Sequence, residues 1–452
     1  MLAYRMLAFL LRLAVRAFFR RVEVVGLEHV PAEGQGPVIF CGNHPNSLLD
    51  PVLITVTCGR IVHFAAKDVL FQTAILRAML TGMGAVPIKR RKDHGGDSIN
   101  NDDAFAALYD VLTAGRAMGI FPEGISHGDA HISKLKTGAA RIALGAAKQQ
   151  PGMTLTVVPC GLHYATRERF RSSVLVQFGE PIVIDAALLA VYDEDPRAAA
   201  RSVTDDIDQG IRSLTVNADD WETARVLDGV RRLYQPPRIA LQERVELARR
   251  FNEAYPKYRS VPQVSELYES VEGYLDRLAG LGLTDRDVLQ KRSGGRLALS
   301  ILTHLMLLLV WLPLAVVGAP VHLPVGILLY WSAPRFTPRK DVLATTKFLL
   351  GFLLLLLLYL GLSIGVGAAF GWAFGLLMML LLPVSGYAAI LCLRHFGAID
   401  RWLTVILGRF TLGRQLKALR QRRATLEQRV VRTVNELHPK DMELLFPREV
   451  PQ

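Results

Sequence analysis

Cysteine is scarce in this 452-residue sequence, and the cysteines that are present form no pattern. The four of them, Cys41, Cys58, Cys160 and Cys392, are far apart and lack the Cys-x-x-Cys spacing of zinc sites and redox motifs. Their scarcity excludes a disulfide-rich secreted scaffold, and their scatter excludes a structural zinc domain. This usage is typical of a protein that functions in a reducing compartment.

Charged residues are missing altogether from two long segments. Residues 297–334 and 348–393 contain no Lys, Arg, Asp or Glu, whereas about 20 apolar residues are enough to cross a bilayer. The second segment predicts two spans joined by a glycine-rich turn near residues 365–371. The first predicts either a hairpin broken around residues 318–324 or one span with a re-entrant piece. The sequence therefore predicts a membrane domain of three or four spans over residues 297–394.

Basic residues flank both uncharged segments, while the turns inside the segments carry none. These flanks lie at residues 291–296, 335–347 and 394–409. Because basic loops favour the cytoplasmic side, we expect all three flanks there, and each segment is expected to form a hairpin that returns to its starting face. The sequence thus predicts a multi-pass membrane protein whose N-terminal part faces the cytoplasm.

The first 21 residues are apolar but lack the uninterrupted core of a signal peptide. Arg5, Arg12 and Arg16 interrupt them, and no small-residue cleavage site follows. These arginines share one face of a helix, which leaves Leu, Phe and Val on the other. Residues 1–21 therefore predict an amphipathic helix in the membrane interface, with a core helix that carries an arginine face as the alternative.

The net charge is +12, from 53 basic and 41 acidic residues. Such an excess is typical of proteins that bind nucleic acid, anionic lipid or anionic substrates. No helix-turn-helix pattern or RNA-binding aromatic signature is present, so a nucleic-acid partner is not expected. Beside the uncharged segments, the excess indicates lipid headgroups and anionic substrates.

Three further regions differ in their periodicity. Residues 22–184 alternate short β-branched runs with helix-like segments, which predicts an α/β domain. Residues 185–295 are highly charged and helix-periodic, which predicts a helical arm. Residues 395–452 place leucine and valine at helical spacing opposite a basic face, which predicts a basic amphipathic helical tail.

Four motifs occur in order inside the α/β domain. They are GNHPNSLLDP (42–51), GAVPIKRR (84–91), GIFPEGISHG (119–128), which continues into KLKTGAARIALGA (134–146), and TLTVVPCGLHY (154–164). Together they resemble the glycerolipid acyltransferases that acylate glycerol-3-phosphate or lysophosphatidate. The sequences of these motifs are most similar to those of the fungal-type branch, which accepts glycerol-3-phosphate or dihydroxyacetone phosphate. By motif, the resemblance covers residues 38–164, and it extends less specifically to the helical arm and to DVLATTKFLL (341–350).

The resemblance implies a fold and a reaction. The fold is a glycerolipid acyltransferase-like mixed sheet flanked by helices, followed here by the helical arm and the C-terminal transmembrane hairpins. The reaction transfers an acyl group from acyl-CoA or acyl carrier protein to a hydroxyl of a glycerol phosphate or lysophospholipid. Membrane lipids, the acyl donor and the acceptor are then the expected partners, with acyl carrier protein as an additional candidate. No metal or resident cofactor is expected.

His44 and Asp50 have the residue types of a base and the acid that orients it. A glycerol hydroxyl is a poor nucleophile until a base removes its proton. A carboxylate on one ring nitrogen fixes the histidine tautomer and stabilises the imidazolium. The alternative is structural, because Asp50 followed by Pro51 is typical of a helix N-cap with proline at the first helical position. Five residues separate the pair where the resembled family has four.

Cationic residues occur in the second motif and in the continuation of the third. Lys89 and Arg90 come directly after an apolar run, and guanidinium groups bind phosphate in a bidentate manner. By motif position, the resemblance implies that Arg90 is the phosphate arginine. Lys136, next to a predicted helix start, adds positive charge where anions bind well.

The FPEG motif supplies the remaining candidates. The Glu123 carboxylate is expected either to accept hydrogen bonds from glycerol hydroxyls or to position the phosphate arginine, with a turn residue as the alternative. Gly124 permits close backbone approach, and Ser126 is expected to line the same pocket.

Three other interpretations compete with an acyltransferase. GISHG, residues 124–128, matches the nucleophile elbow of serine hydrolases with Ser126 as nucleophile, but a proline precedes it and a loop follows. HGDAH, residues 127–131, alternates metal-ligand types but lacks a fourth ligand nearby. A non-enzymatic lipid-binding membrane protein on the same fold is the third alternative.

Overall fold

A computed structural model describes residues 2–89, 102–289, 294–337, 339–411 and 413–437, together with Phe446. The chain forms two compact units. The first, called the catalytic unit below, consists of residues 1–221, 240–252 and 339–345; the second, called the helical unit, consists of residues 222–239, 253–338 and 346–452. Each unit is described by itself.

An eight-stranded sheet is the centre of the catalytic unit within the described ranges. Its strands are β1 (Arg21–Val25), β2 (Val38–Gly42), β3 (Val62–Lys67), β4 (Val86–Ile88), β5 (Ala117–Ile120), β6 (Leu155–Tyr164), β7 (Ser173–Phe178) and β8 (Ile182–Ile184). Their order is β1-β7-β6-β2-β5-β3-β4, with β8 also paired to β6. The pairs of β6 with β7 and β8 are antiparallel and the others are parallel. The predicted mixed α/β fold is confirmed.

The described chain also contains the following α-helices. They are α1 (Leu2–Phe18), α2 (Leu49–Thr57), α3 (Ala74–Gly82), α4 (Asp102–Thr113), α5 (Gly138–Gln149), α6 (Ala186–Glu194), α7 (Pro196–Leu214), α8 (Trp221–Tyr234), α9 (Leu241–Tyr258), α10 (Pro262–Gly280), α11 (Asp285–Leu289), α12 (Gly294–Phe336), α13 (Lys340–Phe370), α14 (Trp372–Thr411) and α15 (Gly413–Leu437). Short 3-10 turns at Leu27–His29 and Asp68–Phe71 complete them.

The buried side chains of β2 and α5 explain their central places in the core. All five residues of β2 are buried, and such a continuous apolar run suits a central parallel strand covered on both faces. The alanine-rich helix α5 buries Ala139, Ala140 and Ala143 in the same core. Small side chains let a helix approach a neighbour closely. At Gly145, an added Cβ would lie 2.5 Å from the Tyr109 hydroxyl oxygen.

Helix α1 has two apolar surfaces. Leu11 and Val15 are buried in the catalytic unit, whereas Met6, Phe9 and Leu13 are between 47% and 61% exposed. One face of α1 is therefore buried, as the alternative interpretation of a core helix predicts. Its exposed apolar surface remains suitable for a membrane interface.

The membrane-type helices differ from the prediction in the first uncharged segment. Among the described residues, three helical segments have the length and composition of membrane spans, at Ala298–Arg335, Lys340–Phe370 and Trp372–Asp400. The second uncharged segment breaks at Gly371, which has a φ of 102°, close to the predicted turn. The first uncharged segment is helical throughout as α12, with Pro320 and Pro324 inside the helix, so residues 318–324 form no non-helical turn. Prolines are tolerated inside spanning helices, and their presence in the sequence does not mark a turn.

Arg60 joins three loops of the catalytic unit although its side chain is almost completely buried, with 5% exposure. A buried guanidinium is tolerated only when its donors are satisfied. Here four backbone carbonyls accept from its terminal nitrogens at 3.0 to 3.2 Å: those of Pro31, Ala32, Gly36 and Gly115. These bonds hold the loop before β2 against the turn before β5.

We expect Arg60→Met to destabilise the protein by about 3 kcal/mol, because four buried carbonyls lose their donor. Scanning fluorimetry of the detergent-purified protein should then report a melting temperature lower by about 5–10 °C. Arg77→Met is the matched control, since Arg77 is exposed and its Nε donates one bond, to the Phe71 carbonyl. Equal melting temperatures for the two variants would contradict the role given to Arg60.

Candidate active site

The site lies at the carboxyl ends of two neighbouring parallel strands. β2 ends at Gly42 and β5 ends at Ile120, and the two strands pair from Val38 with Ala117 onward. In such sheets, the loops that leave the carboxyl ends of adjacent strands meet at one edge. The first and third sequence motifs are therefore brought together by the strand order.

His44 and Asp50 are in direct contact. His44 Nδ1 lies 2.9 Å from Asp50 Oδ2, and the Asp50 side chain is fully buried. Because a carboxylate can only accept, Nδ1 donates the hydrogen bond, which leaves a lone pair on Nε2. Among the described residues, Nε2 has no protein partner, and the His44 ring lines a cavity.

The N-cap interpretation of Asp50 is wrong in detail. The N-cap of α2 is Leu48, so Asp50 lies in the first helical turn. Its Oδ2 accepts a hydrogen bond from the Asn46 backbone N–H at 2.7 Å, in addition to the bond from His44. A side chain inside the first turn reaches back over the preceding residues, which is the direction of His44. The carboxylate thus both orders the turn and orients the ring.

The additional residue between His44 and Asp50 is absorbed by the turn. Ser47 has a φ of 48°, in the left-handed region that residues with a Cβ seldom occupy. This backbone conformation folds the loop tightly enough for Asp50 to reach the histidine. The longer spacing therefore does not separate the pair.

Tyr164 is a residue of the site that the sequence interpretation did not assign. Its hydroxyl donates to Asp50 Oδ1 at 2.5 Å, from the end of β6. Burial raises the pKa of Tyr164 well above its usual value, and the nearby Asp50 charge raises it further, so the hydroxyl remains a donor. Its place in the fourth motif was the available signal, but the contact spans 114 residues of sequence.

Glu123 is buried and both its oxygens are used within the protein. Oε1 accepts from the His44 backbone N–H at 2.8 Å, and Oε2 accepts from the Ser133 N–H at 2.9 Å. His127 Nε2 also bonds Oε2. The carboxylate therefore holds the His44 loop and the loop after Ser126 in register. These contacts favour a positioning role for Glu123 over direct contact with glycerol hydroxyls. They are also not the contacts expected of a turn residue that pairs with a surface cation.

The His44 ring is held from its face as well as from its edge. It stacks on Phe121, with ring centroids 4.1 Å apart and planes at 7°. Asn43, the residue before it, bonds both backbone groups of Leu162 through its side chain, at 2.7 and 3.1 Å. Contacts in several directions reduce the freedom of the ring, which is what a positioned base requires.

A cavity of about 420 Å³ opens beside His44. Its lining includes the cationic residues Lys67, Lys89 and Lys136. Lys136 packs against Gly124, where φ is 73° and an added Cβ would lie 2.5 Å from the lysine Nζ. Arg90, the phosphate arginine implied by the resemblance, lies outside the described residues.

Most of the other lining residues are apolar. They come from α1, α2, α3 and the strands beneath, and include Leu11, Val52, Phe64, Met79, Leu80 and Met83. One cavity therefore combines His44, three cationic side chains and a largely apolar lining. This combination suits a ligand with an anionic group and a hydrocarbon chain.

Ser126 is not arranged as a hydrolase nucleophile. Its hydroxyl donates to Asp341 Oδ2 at 2.6 Å, and across the described ranges no histidine bonds it. His127 is directed instead to Glu123 and to Ser133, whose Oγ lies 3.0 Å from Nε2. The HGDAH segment is likewise engaged in loop contacts, because His127 Nδ1 also lies 3.2 Å from Asp129.

Two family models match consecutive parts of the chain. The model described as Acyltransferase matches residues 21–163. The model described as Glycerol-3-phosphate acyltransferase 2 C-terminal domain matches residues 226–442. The first match contains the four motif regions up to His163, and the second contains the membrane-type helices.

Curated relatives agree with the two models. Glycerol-3-phosphate O-acyltransferase 2 of Saccharomyces cerevisiae is 38% identical over 199 residues, which is 44% of this chain and 27% of the relative. Glycerol-3-phosphate O-acyltransferase 1 of the same yeast is 31% identical over 274 residues, covering 56% of this chain and 36% of the relative. A chloroplastic 1-acyl-sn-glycerol-3-phosphate acyltransferase of Arabidopsis thaliana is 28% identical over 125 residues, 28% of this chain and 33% of the relative.

The matches therefore span about a third of the length of these relatives. Within this chain, the two models follow each other with only a short gap, from residue 21 to residue 442. The resemblance to glycerolipid acyltransferases that the four motifs carry is thus confirmed. In this chain an acyltransferase domain, residues 21–163, precedes a region that matches the C-terminal domain of a glycerol-3-phosphate acyltransferase, residues 226–442.

Proposed function

We propose that this protein is a membrane-bound O-acyltransferase that moves a fatty acyl group from a thioester to a hydroxyl of a phosphorylated glycerol. The observation that carries the proposal is the contact between Nδ1 of His44, a residue that lines the cavity, and the buried Asp50 carboxylate. The names of the relatives support glycerol-3-phosphate or acylglycerol phosphate as the acceptor.

His44 acts as the general base in this mechanism. Nε2 accepts the proton of the acceptor hydroxyl as its oxygen attacks the thioester carbonyl carbon. Asp50 keeps the proton on Nδ1 and stabilises the imidazolium that forms. Positioned proton transfer of this kind typically contributes roughly 10²–10⁴-fold to a rate.

Collapse of the tetrahedral intermediate completes the transfer. The carbon–sulfur bond breaks, the oxygen ester remains, and the thiolate leaves. The imidazolium returns the proton to the departing sulfur, so that His44 ends neutral and the free thiol is released. The donor is acyl-CoA or acyl carrier protein, both of which present a thioester.

The apolar and the cationic lining residues serve the two substrates. The apolar lining accommodates the hydrocarbon chain of the donor, since burial of methylene groups is favourable by about 0.8 kcal/mol each. The cationic side chains of Lys89 and Lys136 attract the acceptor phosphate. Arg90 is proposed to share this role from its place in the motif beside Lys89.

The substrates and the helices support a reaction at a membrane. In the part of the chain that the structure describes, three apolar helices have the length of membrane spans, and the exposed apolar residues of α1 suit the lipid interface. We propose that the catalytic unit faces the cytoplasm, on the basis of the basic flanks at 335–347 and 394–409.

The proposal is tested first with purified protein, labelled acyl-CoA or acyl carrier protein, and a panel of acceptors. Glycerol-3-phosphate, dihydroxyacetone phosphate and lysophosphatidate should differ in kcat/KM, and at least one should be acylated. A lipid-binding protein without activity would bind labelled lipid and transfer nothing. That result would overturn the proposal in favour of the non-enzymatic alternative.

We expect His44→Ala to lower kcat by about 10³-fold, because the hydroxyl loses its proton acceptor. Binding of labelled acyl donor, measured by equilibrium dialysis, should stay within a few-fold of wild type. His131→Ala is the control, since His131 is exposed and does not line the cavity. Unchanged turnover in His44→Ala would remove His44 from the mechanism.

Asp50→Asn should lower kcat by roughly 10²–10⁴-fold with little change in KM, because a neutral amide cannot stabilise the imidazolium. Tyr164→Phe is the matched control on the same carboxylate. It removes only the hydrogen bond to Oδ1 and keeps the contact to His44, so we expect less than a tenfold loss. Steady-state kinetics in mixed micelles measures both. Similar losses in the two variants would show that the carboxylate acts only through loop packing.

We expect Lys136→Gln to raise KM for glycerol-3-phosphate about tenfold, the equivalent of about 1.4 kcal/mol. With unphosphorylated glycerol as the acceptor, the change should be less than twofold, because no anion is present. Lys134→Gln is the control, since Lys134 is exposed and lies outside the cavity lining. An equal effect on both acceptors would contradict the phosphate role.

A further inference from the structure

Residues 339–345 belong to the catalytic unit although they are far along the chain from its other parts. They lie in the region matched by the C-terminal domain model and outside the region matched by the acyltransferase model. They include the first turns of α13. None of the four motifs pointed to them, yet both loops of the active site contact them.

The first contact is to the loop that follows Glu123. Asp341, which is 7% exposed, accepts from the Ser126 hydroxyl at 2.6 Å through Oδ2. Arg339 donates to the same Oδ2 at 2.6 Å and to the Ser126 carbonyl at 2.7 Å. Both the side chain and the backbone of Ser126 are therefore held. Ser126 is adjacent to His127, which bonds Glu123.

The second contact is to the turn between His44 and Asp50. Thr345 is 3% exposed, and its hydroxyl donates to the Asn46 carbonyl at 2.7 Å. The same oxygen accepts from the Leu49 N–H at 3.2 Å. One hydroxyl thus joins the beginning and the end of the turn.

This turn needs external support because it contains an unfavourable conformation. Ser47, with its φ of 48°, lies between Asn46 and Leu49. A residue with a Cβ in the left-handed region costs about 1–2 kcal/mol and persists only where the surroundings determine it. The Thr345 hydroxyl bonds the residues on both sides of Ser47 and so stabilises the turn that the longer His44-to-Asp50 spacing requires.

We propose that Thr345 and Asp341 are positioning residues for the acyl-transfer reaction, acting through the turn at 46–49 and through Ser126. This inference rests on the proposed function of His44. It assigns to one segment of the C-terminal domain the task of completing the active-site loops. Thr345 acts on the geometry of His44 and Asp50, and Asp341 acts on the loop that follows Glu123.

An ordinary helix-start role would not explain these contacts. An acidic residue in the first turn favours the helix dipole wherever its side chain points, and Thr345 has no capping function in the second turn. Both side chains are buried and bond residues of the active-site loops, Asn46 and Leu49 in the case of Thr345 and Ser126 in the case of Asp341. A displacement of about 1 Å in such loops is enough to lower a rate about 10²-fold.

The test compares three single substitutions of neighbouring threonines. Thr345→Val removes the hydroxyl at constant shape, and we expect kcat to fall about 10–100-fold with KM within threefold. Thr345→Ser keeps the hydroxyl and should recover most of kcat. Thr346→Val is the matched control in the helical unit, where the Thr346 hydroxyl accepts from Thr337 at 2.9 Å; it should keep kcat within twofold.

Asp341 is tested by a double-mutant cycle with Ser126. If Asp341 acts through the Ser126 hydroxyl, Asp341→Asn and Ser126→Ala should each lower kcat. The fold decrease in kcat of the double variant should then be much smaller than the product of the two single decreases. Losses that add independently would overturn this arm of the proposal. An unchanged kcat in Thr345→Val, or a loss that Thr345→Ser does not restore, would overturn the other.

A readout that does not depend on turnover separates this inference from the proposed function. Diethyl pyrocarbonate modifies the imidazole of His44, and its rate is followed by mass spectrometry of the His44 peptide. We expect Thr345→Val to raise that rate several-fold as the ring loosens from Asp50, with Thr346→Val unchanged. If wild type transfers no acyl group, the proposed function fails; if His44 reactivity is equal in all variants, the positioning role fails.

Discussion

The buried carboxylate of Asp50 is the group on which the site depends. An ionised carboxylate out of contact with water is tolerated only when donors satisfy it. Three donors do so here, from His44, from the Asn46 backbone and from Tyr164. His44 and the Asn46 N–H, both in the loop after β2, bond Oδ2, and Tyr164, at the end of β6, bonds Oδ1. The charge therefore fixes the histidine ring, the turn before α2 and the end of β6 in one arrangement.

The second constraint is the adjacency of β2 and β5. Because these parallel strands pair, the loops after them leave the same edge, and Glu123 can accept from the His44 backbone N–H. The ring itself stacks on Phe121, the first residue after β5. Motifs 79 residues apart in sequence thus meet through the topology of the sheet. The cavity beside His44 follows from the same geometry, since α2 and β3 form its walls.

Sequence patterns predicted the α/β domain, because strand runs are local signals, and the family resemblance implied its mixed sheet and the meeting of the motif residues. Neither predicted Tyr164 or Thr345, whose contacts to the site span more than 100 residues of sequence. The sequence likewise did not predict that α12 stays helical through residues 318–324. Hydropathy records that the residues of α12 are apolar, but prolines in apolar helices carry no reliable information about a turn. The N-cap expectation at Asp50 was misplaced by two residues, a typical error at helix boundaries.

The turn at residues 46–49 explains why a distant segment belongs to the catalytic unit. A spacing of five residues between His44 and Asp50 forces Ser47 into the left-handed region, and the cost of that conformation has to be offset by contacts from outside the loop. The hydroxyl of Thr345 supplies them on both sides of Ser47. Since Thr345 is encoded about 300 residues later, the functional unit is larger than the segment that carries the family's motifs.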